Sequence, residues 1–295
     1  MTVMAAVPRR VFYMWCGAEK PLDVRLCIFG WRQRLPDFEL IELSERDSEW
    51  FDFKAELRRN DWFRAVYERK MWGFVADYVR FKVLYEHGGV WLDTDVSVIK
   101  DFSPLTGNSV FLGRENPRHV ETAVIGAVKG HPLLKNILDF YDNEIWHAEI
   151  YTSPMLLTEA LKRGWGLSGD MRGVVSLEDG IRIYPPEYFY PLALKGNEPE
   201  LAPDSYAIHW WKASWNRAEI KYWLNHKHIW GRAKALKINP AAYKKVYLFG
   251  FIPCGRYEYE ERRFSVCGIP LLRLKKTPRK ELLMLFGCIP LLKLK

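Results

Sequence analysis

Residues 62–95 restrict the possible folds of this 295-residue chain more than any other segment. Between residues 62 and 87, apolar side chains recur at the three- and four-residue spacing of an amphipathic helix. Gly88-Gly89 follows, and glycine commonly ends a helix. Val90-Trp91-Leu92 then predicts a short buried strand that runs into Asp93-Thr94-Asp95. A long helix leading directly into a buried strand is typical of α/β architecture.

The chain before residue 62 shows the same alternation. Arg10 to Trp15 is β-branched and aromatic, which predicts a buried strand. Leu22 to Leu35 predicts a helix, and Phe38 to Leu43 predicts a second strand. This order of elements predicts a parallel α/β sheet. Further strands are predicted at 96–99 (continuing 90–92), 110–112, 123–127, 181–184 and 207–209, and further helices at 132–141 and 155–162.

Charge is distributed unevenly along the chain. Residues 231–295 hold 15 of the 44 lysines and arginines but only 4 of the 36 aspartates and glutamates. Residues 1–230 are therefore slightly acidic, which is not the pattern of a uniform nucleic-acid-binding surface, and we expect no nucleic acid partner. We predict an α/β domain over 1–230 and a basic, amphipathic extension over 231–295. An element with glycine and Ile-Pro recurs three times in this extension, too few copies for a solenoid.

Cysteine usage and hydropathy give an expectation about the compartment. The five cysteines are scattered, with no Cys-x-x-Cys pair, and we expect free thiols in a reducing cytoplasm. The longest apolar runs have about five residues, whereas a membrane-spanning helix needs about 20. The apolar stretch within residues 1–10 is too short for a secretory signal.

Asp93 and Asp95 are candidate metal ligands. Two carboxylates this close repel each other unless a cation lies between them, and hard divalent cations prefer oxygen ligands. The same pattern is common in turns that bind no ligand, so the position of the pair in the fold must distinguish a metal site from a simple turn. Open α/β sheets bind ligands at the carboxyl ends of their strands, where this pair is predicted to lie. A metal here could bind and neutralise a diphosphate.

Three further residues are candidates for the same site. Asp77 and Arg80 lie three residues apart on one face of the long helix and could form a simple intrahelical ion pair. Because their neighbours are mostly apolar, they need defined partners, and sugar hydroxyls or phosphate oxygens would serve. His209 lies in a segment rich in tryptophan, where it could complete a metal shell or belong to an aromatic corner of the core.

Taken together, these segments resemble the glycosyltransferases of the DXD-containing sugar-binding-region family, family 32, and more distantly the catalytic domains of large clostridial glucosylating toxins. The resemblance covers about residues 8–216. It rests on Val11 to Trp15, Trp31 to Ile41 and the helix segment Phe74 to Arg80. It continues with Leu84 to Asp95, Gly126 to Leu134, Tyr184 to Pro191 and His209 to Trp215.

The resemblance implies a GT-A (Rossmann-like) fold and retaining transfer from a nucleoside diphosphate sugar with Mn²⁺, or Mg²⁺. Asp93 would contact the ribose or sugar and bind the metal through water. Asp95 would ligate the metal directly, with His209 as a late member of the metal site. Asp77 and Arg80 would bind the donor sugar, and Trp15 would pack near the base. Ser214 and Trp215 would contact the diphosphate.

Three functions follow from these features. The favoured one is glycosyl transfer to a lipid-linked or polysaccharide acceptor in bacterial capsule or lipopolysaccharide synthesis. The alternatives are a toxin-like enzyme that glycosylates proteins and a non-catalytic module that binds nucleotide-sugars and membranes. The basic extension is interpreted as a peripheral anchor on the anionic inner face of the cytoplasmic membrane, or as a small β element with a solvated basic face.

Overall fold

The structure is a computed structural model of the chain. It describes residues 6–17, 19–192, 199, 201–211, 220–221, 223–225 and 227, and the backbone of strands between 244 and 294. The chain divides into two compact units, residues 1–215 and 216–295. The predicted boundary after residue 230 falls inside the second unit. No helix among the described residues is long and apolar enough to cross a bilayer.

The described strands of the first unit are β1 (Arg10–Met14), β2 (Glu39–Leu43), β3 (Gly89–Leu92), β4 (Val96–Val98), β5 (Val110–Asn116), β6 (His119–Ala127), β7 (Val175–Leu177), β8 (Ile181–Tyr184) and β9 (Ala207–His209). Seven of them form a mixed sheet with the order β2-β1-β3-β6-β5-β8-β7. β1 lies between β2 and β3 and is parallel to both, and β6 joins β3 in the antiparallel direction. A separate two-stranded sheet pairs β4 with β9.

Helices accompany this sheet and confirm the predicted α/β class. The helices in the described part of the first unit are α1 (Leu22–Arg34), α2 (Phe53–Arg59), α3 (Asp61–Glu68), α4 (Trp72–His87), α5 (Pro132–Asn143), α6 (Ser153–Trp165) and α7 (Pro186–Phe189). The central strand β3 is buried along its whole length, between β1 and β6. The core on one side of it includes Trp31, Phe102 and Phe111, all fully buried. Residues that follow β3 are therefore held by a rigid scaffold.

Two sequence predictions are wrong in detail. The helix expected over residues 62–87 is two helices, α3 and α4, because Lys70 adopts a left-handed backbone conformation (φ 53°) between them. Residues 96–99 do not continue β3. Val96 amide donates to the Asp93 carbonyl at 3.0 Å, so the chain turns there and β4 joins a different sheet.

The second unit contains a six-stranded antiparallel sheet in which each strand pairs with the next. Its strands are β10 (Lys244–Leu248), β11 (Ile252–Glu258), β12 (Arg263–Val266), β13 (Ile269–Thr277), β14 (Lys280–Leu285) and β15 (Ile289–Leu294). The recurring Ile-Pro pairs begin β11, β13 and β15, and the pairing register shifts just after each proline. Since proline lacks an amide donor, a bulge beside it is the expected place for such a shift.

Candidate functional site

Asp93, Thr94 and Asp95 form the turn between β3 and β4. The backbone amide of Asp93 donates to the Ala123 carbonyl of β6 at 2.9 Å, which extends the ladder by one residue beyond β3. The turn places both carboxylates at the carboxyl end of a buried strand, whose parallel neighbour β1 ends at the same edge. This is the edge where the sequence predicts a ligand site.

The small β4–β9 sheet brings His209 to this edge. Val96 and His209 are register partners, and the amide of Trp210 donates to the Asp95 carbonyl at 3.0 Å. His209 Nε2 lies 3.3 Å from Asp95 Oδ1. Ligand atoms of Asp93, Asp95 and His209 all lie within 4.8 Å of one another.

These three side chains fit a divalent cation. Two carboxylates and one imidazole form a donor set suited to Mn²⁺ or Mg²⁺, with room for exogenous oxygen ligands. His209 Nδ1 is buried and has no hydrogen-bond partner among the described residues. The His209 nitrogen that faces Asp95 is Nε2, which is therefore the candidate ligand atom. Asp93, Asp95 and His209 would hold the metal.

Arg80 connects this cluster to α4. It is only 4% exposed, and its Nη2 lies 3.0 Å from both Asp77 Oδ1 and Asp93 Oδ1. Its Nη1 donates to the Thr122 carbonyl of β6 at 2.7 Å. Burial alone would lower the pKa of Arg80, but the charges of Asp93 and Asp77 outweigh it and raise this pKa. The guanidinium therefore stays charged and fixes the Asp93 carboxylate.

Asp77 lies deeper than Asp93. Burial raises its pKa, while Arg80 and a 2.6 Å hydrogen bond from the Ser153 hydroxyl oppose that shift. Ser153 is the first residue of α6, where the helix dipole favours a negative charge. Thr122 Oγ1 lies 2.9 Å from the same hydroxyl. Asp77 thus has the defined partners that its apolar surroundings require.

Three residues at the site were missed by sequence reasoning. Trp91 Nε1 donates to Asp93 Oδ1 at 2.8 Å, and the Arg80 guanidinium lies 5.4 Å from its ring centroid. Glu121 on β6 is buried, and its burial, together with Glu115, raises its pKa to about 9. The charges of Asp93 and Arg80 both act on Glu121. Tyr190, fully buried, interacts electrostatically with Glu121, Asp93 and Arg80 and has its pKa raised by burial.

One of these three had a signal in the sequence. Glu121 is the only charged residue in the mostly apolar segment 120–127, and such a charge in a buried strand indicates a special environment. Trp91 and Tyr190 could not be distinguished from core aromatics by their sequence context.

The other predicted residues are placed as follows. Trp15 directly follows β1, its amide donates to the Leu43 carbonyl at 3.0 Å, and its side chain packs partly buried against the core. It thus lies at the same sheet edge as Asp93. Ser214 and Trp215, predicted at the diphosphate, lie outside the described residues.

This chain is similar to a family model and to known proteins. Residues 21–112 match the family model "Glycosyltransferase sugar-binding region containing DXD motif". The chain is 27% identical over 174 residues to lactosylceramide 4-alpha-galactosyltransferase of Pan troglodytes, covering 51% of this chain and 46% of that protein. It is 30% identical over 128 residues to inositol phosphoceramide mannosyltransferase 3 of Schizosaccharomyces pombe, covering 42% and 32%. The chain thus spans less than half the length of these two relatives.

Two solved structures are similar at lower identity. PaToxG glycosyltransferase has a TM-score of 0.45 at 17% identity, covering 54% of this chain and 69% of that one. A glycosyltransferase involved in the glycosylation of the major capsid of PBCV-1 has a TM-score of 0.38 at 14% identity, covering 74% and 99%.

The family match contains the residues on which the geometry centres. Asp77, Arg80, Asp93 and Asp95 all fall within residues 21–112, while Trp15 and His209 lie outside this range. Residues 21–112 therefore match the sequence pattern of the DXD-containing glycosyltransferase sugar-binding region, which confirms the family resemblance found in the sequence.

Proposed function

We propose that this chain is a metal-dependent glycosyltransferase that moves a hexosyl group from a nucleoside diphosphate sugar to a lipid-linked or polysaccharide acceptor. The observation on which the proposal rests is the convergence of Asp93, Asp95 and His209, with ligand atoms within 4.8 Å of one another. Arg80 and Asp77 lie directly behind Asp93. The family match supports the same assignment.

The protein groups have separate tasks in this reaction. Asp93 is fixed by Arg80 and by the Trp91 indole, so its carboxylate is oriented before the donor binds. A preorganised site lowers the barrier because its dipoles need not reorient during the reaction. Asp77, which Arg80 and Ser153 hold in place, would bind a sugar hydroxyl of the donor. When bound, a divalent cation would neutralise the negative charge that develops on the diphosphate leaving group.

The proposal includes retention of configuration at the transferred sugar, as expected from the sequence resemblance. The anomeric centre would develop oxocarbenium character. Glu121 and Asp77 are the buried carboxyl groups beside Asp93, and we assign neither as a nucleophile. Measuring the anomeric configuration of the product by NMR tests this part, and an inverted product would contradict it.

A lipid-linked acceptor in bacterial capsule or lipopolysaccharide synthesis is our preferred acceptor class. The names of the two curated relatives describe transfer to lactosylceramide and to inositol phosphoceramide, both lipids. The basic excess in residues 231–295 supports peripheral attachment to an anionic membrane from the cytoplasmic side.

The decisive experiment is a panel of nucleoside diphosphate sugars incubated with Mn²⁺ and crude glycolipid acceptor. We expect turnover of one donor, which chelation of the metal abolishes. Asp95→Ala should lose at least about a hundredfold in turnover, the magnitude typical of removing one transition-state contact. Asp170→Ala is the matched control, since Asp170 is an exposed carboxylate in a surface ion pair with Arg118.

Two results would overturn the proposal. The first is absence of turnover with every donor while Mn²⁺ and nucleotide still bind. The second is equal turnover by Asp95→Ala and by the unsubstituted chain. Either would favour a binding module over an enzyme.

A further inference from the structure

Helix α1 exposes a row of large apolar side chains. Leu22 is 64% exposed, Leu26 58% and Phe29 60%. Positions 22, 26 and 29 follow the four- and three-residue spacing that places side chains on one face of a helix. The row extends for about 10 Å along the axis. We call these three residues the α1 face.

The opposite side of α1 is used for packing, so the exposure is not due to a loosely attached helix. Val24, Cys27, Ile28 and Trp31 are buried. The Trp31 indole donates to the Val96 carbonyl of β4 at 2.7 Å, and Cys27 Sγ lies 3.7 Å from Ser97 Oγ. The helix is apolar on both sides, but only one side has a partner within the described residues.

Basic residues accompany the α1 face. Arg25, Arg32 and Arg34 are exposed on the same helix, and Asp23 is its only acidic residue. Arg25 and Arg32 lie along one border of the apolar row at helical spacing. Exposed leucine and phenylalanine bordered by arginine are the features with which a helix lies in the interface of an anionic bilayer.

We propose that the α1 face docks on the surface of an anionic lipid bilayer. Leu22, Leu26 and Phe29 insert among the acyl chains near the headgroups, and the arginines pair with lipid phosphates. Charge distinguishes a lipid bilayer from a second copy of the chain as the partner of this face. In a contact between two copies, three arginines would face three arginines and repel them, whereas anionic headgroups would attract them. This docking surface consists of residues of the first unit and includes none of the basic segment 231–295.

The position of α1 gives the docking a consequence for the site. β4, on which α1 packs, begins directly after Asp95, and Ser97 of β4 accepts a 2.8 Å hydrogen bond from the indole of Trp210. Trp210, next to His209, is 40% exposed. One helix diameter, about 10 Å, thus separates the bilayer from β4, the strand that follows Asp95 and pairs with the strand of His209. An acceptor whose sugar protrudes from the membrane would lie within reach.

The test is flotation of the full chain with vesicles of phosphatidylcholine alone or mixed with phosphatidylglycerol. We expect the unsubstituted chain to float with the mixed vesicles and the triple variant Leu22→Gln, Leu26→Gln, Phe29→Gln to bind at least about tenfold more weakly. Arg25→Gln with Arg32→Gln should weaken binding to the mixed vesicles only. The control Met155→Gln with Val174→Gln, at residues 42% and 41% exposed elsewhere, should float normally.

Each contrary outcome has a defined meaning. Equal flotation of the triple variant and the unsubstituted chain overturns the proposal, as does equal weakening in the control. A triple variant that changes only the sedimentation mass identifies the face as a contact between copies and also overturns it. If the triple variant does not fold, as judged by circular dichroism, Leu26→Gln alone replaces it. Flotation requires no turnover, so failure of the proposed enzyme activity leaves this test intact.

Discussion

Arg80 is a buried arginine, and its charge is tolerated there only because its partners are also buried. It contacts two carboxylates and one backbone carbonyl, while its Nε has no partner among the described residues. Taking such charges out of water costs several kcal/mol per ion, which good geometry must offset. The arrangement is therefore better explained by the need for a fixed Asp93 than by stability.

Replacing Arg80 by a neutral residue leaves the negative charges of Asp77 and Asp93 without the positive charge that compensates them. We expect Arg80→Leu to lower the free energy of unfolding by about 3–5 kcal/mol, the range for breaking a buried ion pair. The measurement is urea unfolding followed by circular dichroism. Arg163→Leu, which removes exposed pairs with Glu144 and Glu159, should cost less than about 1 kcal/mol. Similar losses in the two variants would contradict this assignment.

Glu121 gives a prediction about pH. Its carboxyl keeps its proton in the folded chain up to a pKa of about 9 but loses it near pH 4.5 when unfolded. Between these values the folded state binds more protons, so the free energy of unfolding falls as pH rises, by up to about 1.4 kcal/mol per pH unit. Glu121→Gln should remove most of this slope in urea unfolding at several pH values.

A control separates Glu121 from the other acidic residues. Glu159→Gln changes an exposed carboxylate paired with Arg163 and should keep the slope of the unsubstituted chain. If the slopes of Glu121→Gln and the unsubstituted chain coincide, the carboxyl is ionised in the folded protein. The bonding of Arg80 to Asp93 would then have to be reconsidered.

Site residues differed in how well the sequence revealed them. Asp93 and Asp95 were predictable because a polar pair after an apolar strand can lie only at the end of that strand. Asp77 and Arg80 were predictable because their spacing puts both on one helix face. The contact of Ser153 with Asp77 was not predictable, because it depends on how α6 packs beside α4.

At the scale of elements, the junction of α4 and β3 positions the site. Gly88 has φ 67° and Gly89 has φ 130°, conformations that other residues rarely adopt. A Cβ on Gly89 would lie 2.9 Å from the Arg10 carbonyl oxygen and 2.7 Å from its Cγ. This close approach lets β3 pair with β1 immediately after the helix ends.

Gly89→Ala should therefore destabilise the chain by about 1–3 kcal/mol, the cost of one strained backbone position. We also expect weaker Mn²⁺ binding, because displacing β3 displaces Asp93. Gly107→Ala is the matched control, since a Cβ there meets nothing within 4 Å. The midpoint of thermal unfolding and a metal titration measure the two effects. A Gly89→Ala chain as stable as Gly107→Ala would show that the junction accommodates a side chain.

Elements were predictable where local pattern and packing agree. β1, α1 and β2 lie within one or two residues of their predicted bounds. The break between α3 and α4 was missed because Lys70, which adopts the left-handed conformation, is a good helix former. β4 was misassigned because its partner, β9, lies far along the chain, and periodicity contains no information about strand partners.

At the scale of the molecule, ligand binding should stabilise the first unit as a whole. Mn²⁺ with a nucleoside diphosphate at about 100 times its Kd would add about 2.7 kcal/mol to the free energy of unfolding. We expect a higher Tm for the unsubstituted chain and for Asp170→Ala, but no shift for Asp95→Ala. Calorimetry with and without the ligands measures the shift in Tm of each chain. An equal shift in Asp95→Ala would place the metal elsewhere.

Composition and compactness divide the chain at different residues. The change of composition near residue 231 marked the basic segment, whereas the structure divides the chain at residue 216. The charge of a segment indicates which partners its surface can contact, whereas compactness indicates which residues pack together. The repeated Ile-Pro pairs did not reveal the antiparallel order of β10 to β15, because a repeat specifies similar units and not their pairing.

The β4–β9 pair has a consequence for the timing of biosynthesis. Ser97 and Trp210, whose side chains meet in this pair, are 113 positions apart in the chain. At about 5–20 residues per second, a ribosome needs on the order of ten seconds to extend the chain from Asp95 to His209. During that interval the nascent chain has its two aspartates but lacks the imidazole. Under the proposed function, the complete set of three candidate metal ligands therefore exists only after His209 has been added to the chain.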